Sequence, residues 1–170
     1  MPFEVRRATL EDAHDVARIH VRAWQVGYRD LLPAEYLASL DPNERAARYT
    51  FSDPDPLKPD TYVALDGRRV ICGFVTVGPA REGTDGAGHL MALYVDPDQW
   101  QRGVGRRLIE HGRGELAARG YSEAVLWMLR GNERAHRFYT ADGWVSDGCD
   151  EQREIWGITV TDRRYRRRLV

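Results

Sequence analysis

The stretch from Gln101 to Arg107, QRGVGRR, sets Gly103 and Gly105 among Arg102, Arg106 and Arg107 where a helical pattern begins. A helix start carries partial positive charge and backbone N–H groups without intrahelical partners, so cations there are unfavourable in isolation. The same start binds anions once a ligand is present, and a glycine turn lets that ligand approach the backbone closely. A phosphorylated ligand would convert the crowded arginines from a penalty into charge complementarity. The alternative is a tight turn whose arginines face solvent. Leu108 stands where the dinucleotide fingerprint needs its third glycine, and no Gly-Lys-Ser/Thr follows, so neither the Rossmann nor the P-loop pattern is met.

The elements that must position this turn follow from periodicity. Residues 4–8 alternate as a strand. Thr9 reads as an N-cap with Asp12 three residues on, and a helix runs to Gly27 with Ala13, Val16, Ala17, His20, Ala23 and Trp24 on one face. Helical stretches are expected over 33–40 and 42–49, then a proline-rich loop over 52–60. Strands 61–65 and 69–77 flank an Asp-Gly hairpin signal. After a glycine-rich loop over 78–88, strand 89–95 is apolar on both faces, as a central strand should be. The helix after the turn places Gly105, Leu108, Ile109, Gly112 and Leu116 together and stops at Gly120. Strand 123–129 is apolar throughout, 132–143 is a short helix with Asn132 as its cap, and 144–148 and 154–165 supply the last strands. This order predicts one α+β domain on a mixed sheet.

The bulk properties exclude several classes. The chain has 170 residues, 42% hydrophobic and 30% charged, with a net charge of −1, which gives no electrostatic reason to expect nucleic acid as the main partner. No apolar run approaches the ~18 residues of a membrane helix. The N-terminus lacks a signal-peptide pattern, so the cytoplasm is the expected location. Cys72 and Cys149 stand alone in their segments, which gives no metal-ligand spacing and suggests reduced packing residues.

Two signatures, in order, resemble the GCN5-related N-acetyltransferase (GNAT) family, which moves an acetyl group from acetyl-CoA to an amine. The first is Gln/Arg-x-x-Gly-x-Gly/Ala after a central strand, matched here by Leu93-Tyr94-Val95 and then Gly103 and Gly105. Trp100 occupies the Gln/Arg position, a departure that puts one polar cofactor contact in doubt and that Gln101 could offset. The second is Asn-x-x-Ala-x-x-Phe-Tyr-x-x-x-Gly-Phe, matched by residues 132–144 with Trp144 last. The opening strand and helix fit the family as well.

The resemblance implies a mixed, mostly antiparallel central sheet flanked by helices, with a splayed central strand pair and a bulge near residues 93–95. It implies that the backbone of Leu93, Tyr94 and Val95 holds the pantetheine arm and supplies an oxyanion donor. The backbone from Gln101 through Arg102, Gly103, Val104 and Gly105 to Arg106 would take the diphosphate, and Asn132 would assist. Tyr139 matches the general acid. His89 stands where many relatives carry a glutamate base, and could equally be an exposed strand-end residue. Trp24 and Tyr28, with Trp127 and Met128, would wall the acceptor pocket, although Trp24 also suits plain packing.

The expected function is therefore direct acetyl transfer to a primary amine of a small molecule or a protein N-terminus in a ternary complex, with acetyl-CoA as cosubstrate and no metal. A non-catalytic acyl-CoA sensor of the same fold is the alternative. The basic run DRRYRRRL (162–169) raises nucleic acid as a partner, against a solvated terminal strand. A homodimer through the late strands is possible.

Overall fold

The computed structural model describes residues 2–81, 84 and 86–169; of the loop expected over 78–88, residues 82, 83 and 85 lie outside this set. Seven strands form one sheet: β1 (Glu4–Arg7), β2 (Asp60–Leu65), β3 (Ile71–Pro79), β4 (Gly88–Val95), β5 (Glu123–Leu129), β6 (Val145–Ile155) and β7 (Ile158–Arg168). Their spatial order is β1-β2-β3-β4-β5-β7-β6. Every neighbouring pair is antiparallel except β4–β5 at the centre. The helices are α1 (Ala13–Gly27), α2 (Ala34–Ser39), α3 (Pro42–Ala46), α4 (Val104–Ala118) and α5 (Glu133–Ala141). This is the expected mixed, mostly antiparallel sheet with a splayed central pair.

Two faces of the sheet are covered by two amphipathic helices. Leu108, Ile109 and Leu116 of α4 pack on Val75, Val77, Leu90 and Leu126. Helix and sheet come close at Gly112, where a Cβ would lie 3.2 Å from Val75 Cγ2. On the other face, Val16 and Ile19 of α1 pack with Val63 and Phe74, and Tyr94 closes over them. Each such fully buried aliphatic side chain contributes about 1.5–3 kcal/mol. The α1 helix is also tied to the end of β4: Arg22 Nη1 donates to both oxygens of the buried Asp96 carboxylate, at 2.8 and 2.9 Å.

Local chemistry explains where elements differ from expectation. The start of α1 is as expected, with the Thr9 N–H donating to Asp12 Oδ2 at 2.8 Å. β3 begins at Ile71 rather than 69 because Asp66 Oδ1 accepts from the N–H groups of Arg68 and Val70, which winds those residues into the turn. The last two strands are longer than expected and form one hairpin. Its reversal falls at Trp156 and Gly157, both with positive φ (45° and 80°), the geometry of a tight hairpin turn. α2 ends at Ser39 because Leu40 and Asp41 are extended ahead of Pro42, and α3 starts at Pro42 as expected but ends at Ala46 rather than 49.

Four arginines of the basic run on β7 are paired with neighbouring carboxylates. Arg163 pairs with Asp150, Arg164 with Asp147, Arg166 with Glu123 and Arg167 with Asp142, at 2.6–3.8 Å. Both cysteines are free thiols, Cys72 buried and Cys149 half-buried. No helix among the described residues is long and apolar enough to cross a membrane.

One buried group makes stability depend on pH. The His20 ring lies between Trp24, Phe74 and Tyr94, with centroids 5.5, 5.7 and 4.7 Å away. Burial, and then the charge of Arg45, pushes its pKa down to about 3. The unfolded chain takes up this proton near pH 6.5, whereas the folded chain does not. His20 therefore adds stability that is complete above about pH 6.5 and declines as the pH falls towards 3. Between pH 7 and 4.5 this amounts to roughly 2–3 kcal/mol. Urea unfolding at the two pH values should show a smaller acid-induced loss for His20→Phe than for wild type; equal losses would mean that His20 is not the group responsible.

Candidate functional site

β4 and β5 pair at Gly88↔Ala124 and His89↔Val125 and then separate. β4 remains paired with β3 up to Val95, so between residues 90 and 95 only its β5-facing edge lacks a strand partner. A cleft of about 550 Å³ fills the gap, lined along β4 by Leu90–Val95 and along β5 by Leu126, Trp127 and Met128. The register shift that helps the strands diverge falls at Met91, which has no partner between Val77↔Leu90 and Thr76↔Ala92. The expected bulge near 93–95 is thus placed two residues earlier. Leu93, Tyr94 and Val95 all line the cleft, but the Val95 carbonyl already accepts a hydrogen bond from Trp100 Nε1 at 2.9 Å.

The glycine turn forms the mouth of this cleft. Gln101 (φ 63°) and Gly103 (φ 87°) are both left-handed, a costly conformation for Gln101 and a free one for Gly103. Gly103 caps α4 without a side-chain hydrogen bond, and the first intrahelical bond runs from the Arg107 N–H to the Gly103 carbonyl. The N–H groups of Val104, Gly105 and Arg106 thus have no intrahelical partner, as an anion-binding start requires. Gly105 acts through packing: a Cβ there would lie 3.2 Å from the Phe138 ring.

The arginines divide. Arg106 lines the cleft while its Nε donates to Glu110 at 3.1 Å. Arg107 Nε instead donates to the Phe3 carbonyl at 3.4 Å, away from the cleft. Arg102 is exposed and is not a lining residue.

Helix α5 carries the remaining signature and is fixed at both ends. Asn132 Oδ1 accepts from the Ala135 N–H at 3.1 Å, so the side-chain carbonyl caps the helix, and Asn132 also lines the cleft. At the other end Asp142 accepts from Arg113 Nε and Nη2 (2.9 and 3.0 Å) and from Trp144 Nε1 (3.0 Å). In between, His136 Nδ1 lies 2.7 Å from Tyr165 Oη on β7. These anchors present Tyr139 to the cleft, edge-on to Phe138 at 5.2 Å. Burial, and then the neighbouring Tyr94 phenol, raises the Tyr139 pKa well above the ordinary phenol value.

His89 is half-buried at the start of β4, opposite Gly78 and Val125, and does not line the cleft. Burial, with the charge of Arg81, pushes its pKa down to about 4. Tyr28 caps α1, its N–H donating to the Trp24 carbonyl at 2.9 Å, and lines the cleft with Met128. Trp24 meets Tyr28 edge-on at 5.0 Å but packs with Leu32, Leu37 and Leu129 and does not line the cleft. Sequence reasoning missed Arg134 and Phe138 as cleft residues. Their spacing of four on α5 was a usable signal, since it puts them on one face. Among the described residues no group of three or more His, Cys, Asp or Glu could hold a metal ion.

Comparison with known proteins places this geometry. The model of the Acetyltransferase (GNAT) family matches residues 14–144. The chain is 33% identical over 129 residues to an uncharacterised N-acetyltransferase, YuaI, of Bacillus subtilis, covering 75% of this chain and 72% of that protein. It is 29% identical over 151 residues to the peptidyl-lysine N-acetyltransferase YjaB of Escherichia coli, covering 89% and 88%. The crystal structure of PaiA N-acetyltransferase from Thermoplasma acidophilum in complex with coenzyme A superposes with a TM-score of 0.75 over 99% of both chains, at 18% identity. By the extent of the family match and the identity to YuaI, the chain belongs to the GNAT family of acetyltransferases.

Proposed function

We propose that the protein moves an acetyl group from acetyl-CoA directly to a primary amine, with both substrates bound in the cleft between β4 and β5. The observation that carries this reading is the conjunction of an unpaired strand edge, a helix start with no side-chain cap and a half-buried phenol around one cleft. The cleft fits the cosubstrate. The extended β4 edge suits an amide-bearing arm, and the free N–H groups of residues 104–106 suit a diphosphate. Acetyl-CoA, when bound, supplies the acyl group and a thiol leaving group.

The chain's own groups then have distinct tasks. A backbone N–H of the 91–95 segment is suited to stabilise the developing oxyanion, because the pairing of β4 with β3 fixes its position. Tyr139 donates a hydrogen bond to the departing sulfur. Full proton transfer is uphill: an ordinary phenol near ~10 already exceeds a thiol near ~8.5, by about 2 kcal/mol, and burial widens the gap. Tyr139 therefore stabilises the leaving thiolate as a donor and remains protonated across the working pH range.

Removal of the amine proton does not rest on His89. His89 lies outside the cleft lining, and burial holds its imidazole below the ordinary value, so it is poorly placed to take a proton from the acceptor. The reactive species is the neutral amine, formed by loss of the ammonium proton to bulk solvent at a cost set by the gap between its pKa and the pH; the proton lost as the amide forms also leaves to solvent, and CoA departs as the thiolate. Tyr28, Met128 and Trp127 are positioned to wall the acceptor. The relatives carry names as different as peptidyl-lysine and mycothiol acetyltransferase, so the acceptor is proposed only as a primary amine.

Acetyl-CoA consumption against a panel of amines tests the reading. Binding of acetyl-CoA without consumption by any amine would overturn it. Tyr139→Phe should lower kcat by about 100-fold while changing the acetyl-CoA Kd less than about twofold; unchanged turnover would remove Tyr139 from the mechanism. The rise of kcat/KM with pH should follow the pKa of the amine and persist in His89→Ala; loss of that limb would restore His89 as the base.

Cofactor affinity should depend more on the turn than on its arginines. Gly103→Val, which forces a branched residue into a left-handed position at ~1–2 kcal/mol, should weaken acetyl-CoA binding about tenfold. Arg106→Ala, whose guanidinium is solvent-exposed, should cost less than about threefold. The reverse ranking, by calorimetry, would mean that side-chain charge does the holding.

A further inference from the structure

Trp100 occupies the position where the family pattern has Gln or Arg, and its ring is immobilised. The indole Nε1 donates to the Val95 carbonyl at 2.9 Å, fixing the ring at the end of β4 beside the mouth of the cleft. The guanidinium carbon of Arg134, from the first turn of α5, lies 3.3 Å from the centre of that ring. The guanidinium thus sits directly over the ring, well inside the ~6 Å range of a cation–π contact.

The charge of Arg134 is otherwise unanswered. Arg134 and Arg137, both lining the cleft, make no ion pair or side-chain hydrogen bond among the described residues, and of the two only Arg134 is held over an aromatic ring. Arg134 as a whole is exposed, and partial desolvation of its guanidinium lowers its pKa with no compensating anion beside it among the described residues. It lines the same cleft as Gly103, Val104 and Gly105. A planar guanidinium stacked on one face keeps its N–H edge free, the edge that binds phosphate oxygens in pairs.

We propose that Arg134, held over the Trp100 ring, is a phosphate-binding residue of the coenzyme A site and supplies the positive charge that position 100 does not. Trp100 is then a positioning residue, fixing the guanidinium so that little side-chain freedom is lost on binding. Gln101, exposed and left-handed, is not needed for this task. The inference rests on the acetyl-CoA reading above. The phosphate concerned is either the diphosphate or the 3′-phosphate of the nucleotide.

Calorimetric titration of wild type and Arg134→Gln with CoA and with dephospho-CoA tests it. Arg134→Gln should bind CoA about tenfold more weakly, the loss expected for one charge-assisted contact. An equal loss with dephospho-CoA assigns the contact to the diphosphate; a loss seen with CoA only assigns it to the 3′-phosphate. Arg134→Lys, which retains the charge, should recover part of the affinity. Trp100→Leu should weaken binding in the same direction, and the double variant should be no worse than about the worse single one, because both act through one contact. Arg134→Gln binding both ligands within twofold of wild type would overturn the proposal while leaving the acetyl-CoA reading intact. A wild type that binds neither ligand would overturn that reading and this inference with it.

Discussion

The parallel pairing of β4 and β5 ends after two residue pairs, and the arrangement of the site depends on that short zip. A continuous parallel pair would satisfy the backbone of both strands and leave no space at the centre of the sheet. Stopping the pairing at His89↔Val125 leaves one edge of β4 without a strand partner inside a well-packed domain. Unpartnered backbone groups in such a position are unfavourable unless water or a ligand meets them. The bulge at Met91 turns β4 away, while β3 on its other side remains paired and keeps the strand rigid. The cleft is thus built into the sheet rather than carved out of loops, which favours precise positioning of whatever binds there.

Three ties hold the surrounding pieces in register with that gap. Asp96 fastens α1 to the end of β4 through Arg22. Gly105 lets α4 and α5 meet through the Phe138 ring. Asp142 gathers Arg113 of α4 and the Trp144 indole at the foot of α5. Together they set the helix start, the strand edge and Tyr139 around one space. These ties act together with the buried contacts of α4 on the sheet and the partly buried Ala135, Phe138 and Tyr139 of α5 packed against them.

Much of this was legible in the sequence, for identifiable reasons. The α4 helix and the central strand follow from apolar periodicity. The turn between them follows from Gly103, whose positive φ few other residues tolerate. The cap at Asn132 and the stop at Gly143 (φ 91°) delimit α5 by local chemistry alone. What was not legible depends on contacts between distant segments. The place of the bulge is set by the register of β4 on β3, which residues 93–95 do not encode. The separation of Trp24 from the cleft depends on α2 and β5 packing around it. The low pKa of His89 comes from burial and from Arg81, neither visible at position 89 itself. Trp100 looked like a defect in the motif because its partners, Val95 and Arg134, become neighbours only in the fold.

Amide hydrogen exchange with and without acetyl-CoA tests most directly the claim that the gap between β4 and β5 is the cosubstrate site. Saturating acetyl-CoA should slow exchange in two separate stretches, residues 91–95 on the open edge of β4 and residues 101–106 at the start of α4, while the β6–β7 hairpin stays unchanged. Protection confined to other parts of the sheet, or protection at the helix start with none along β4, would contradict the account.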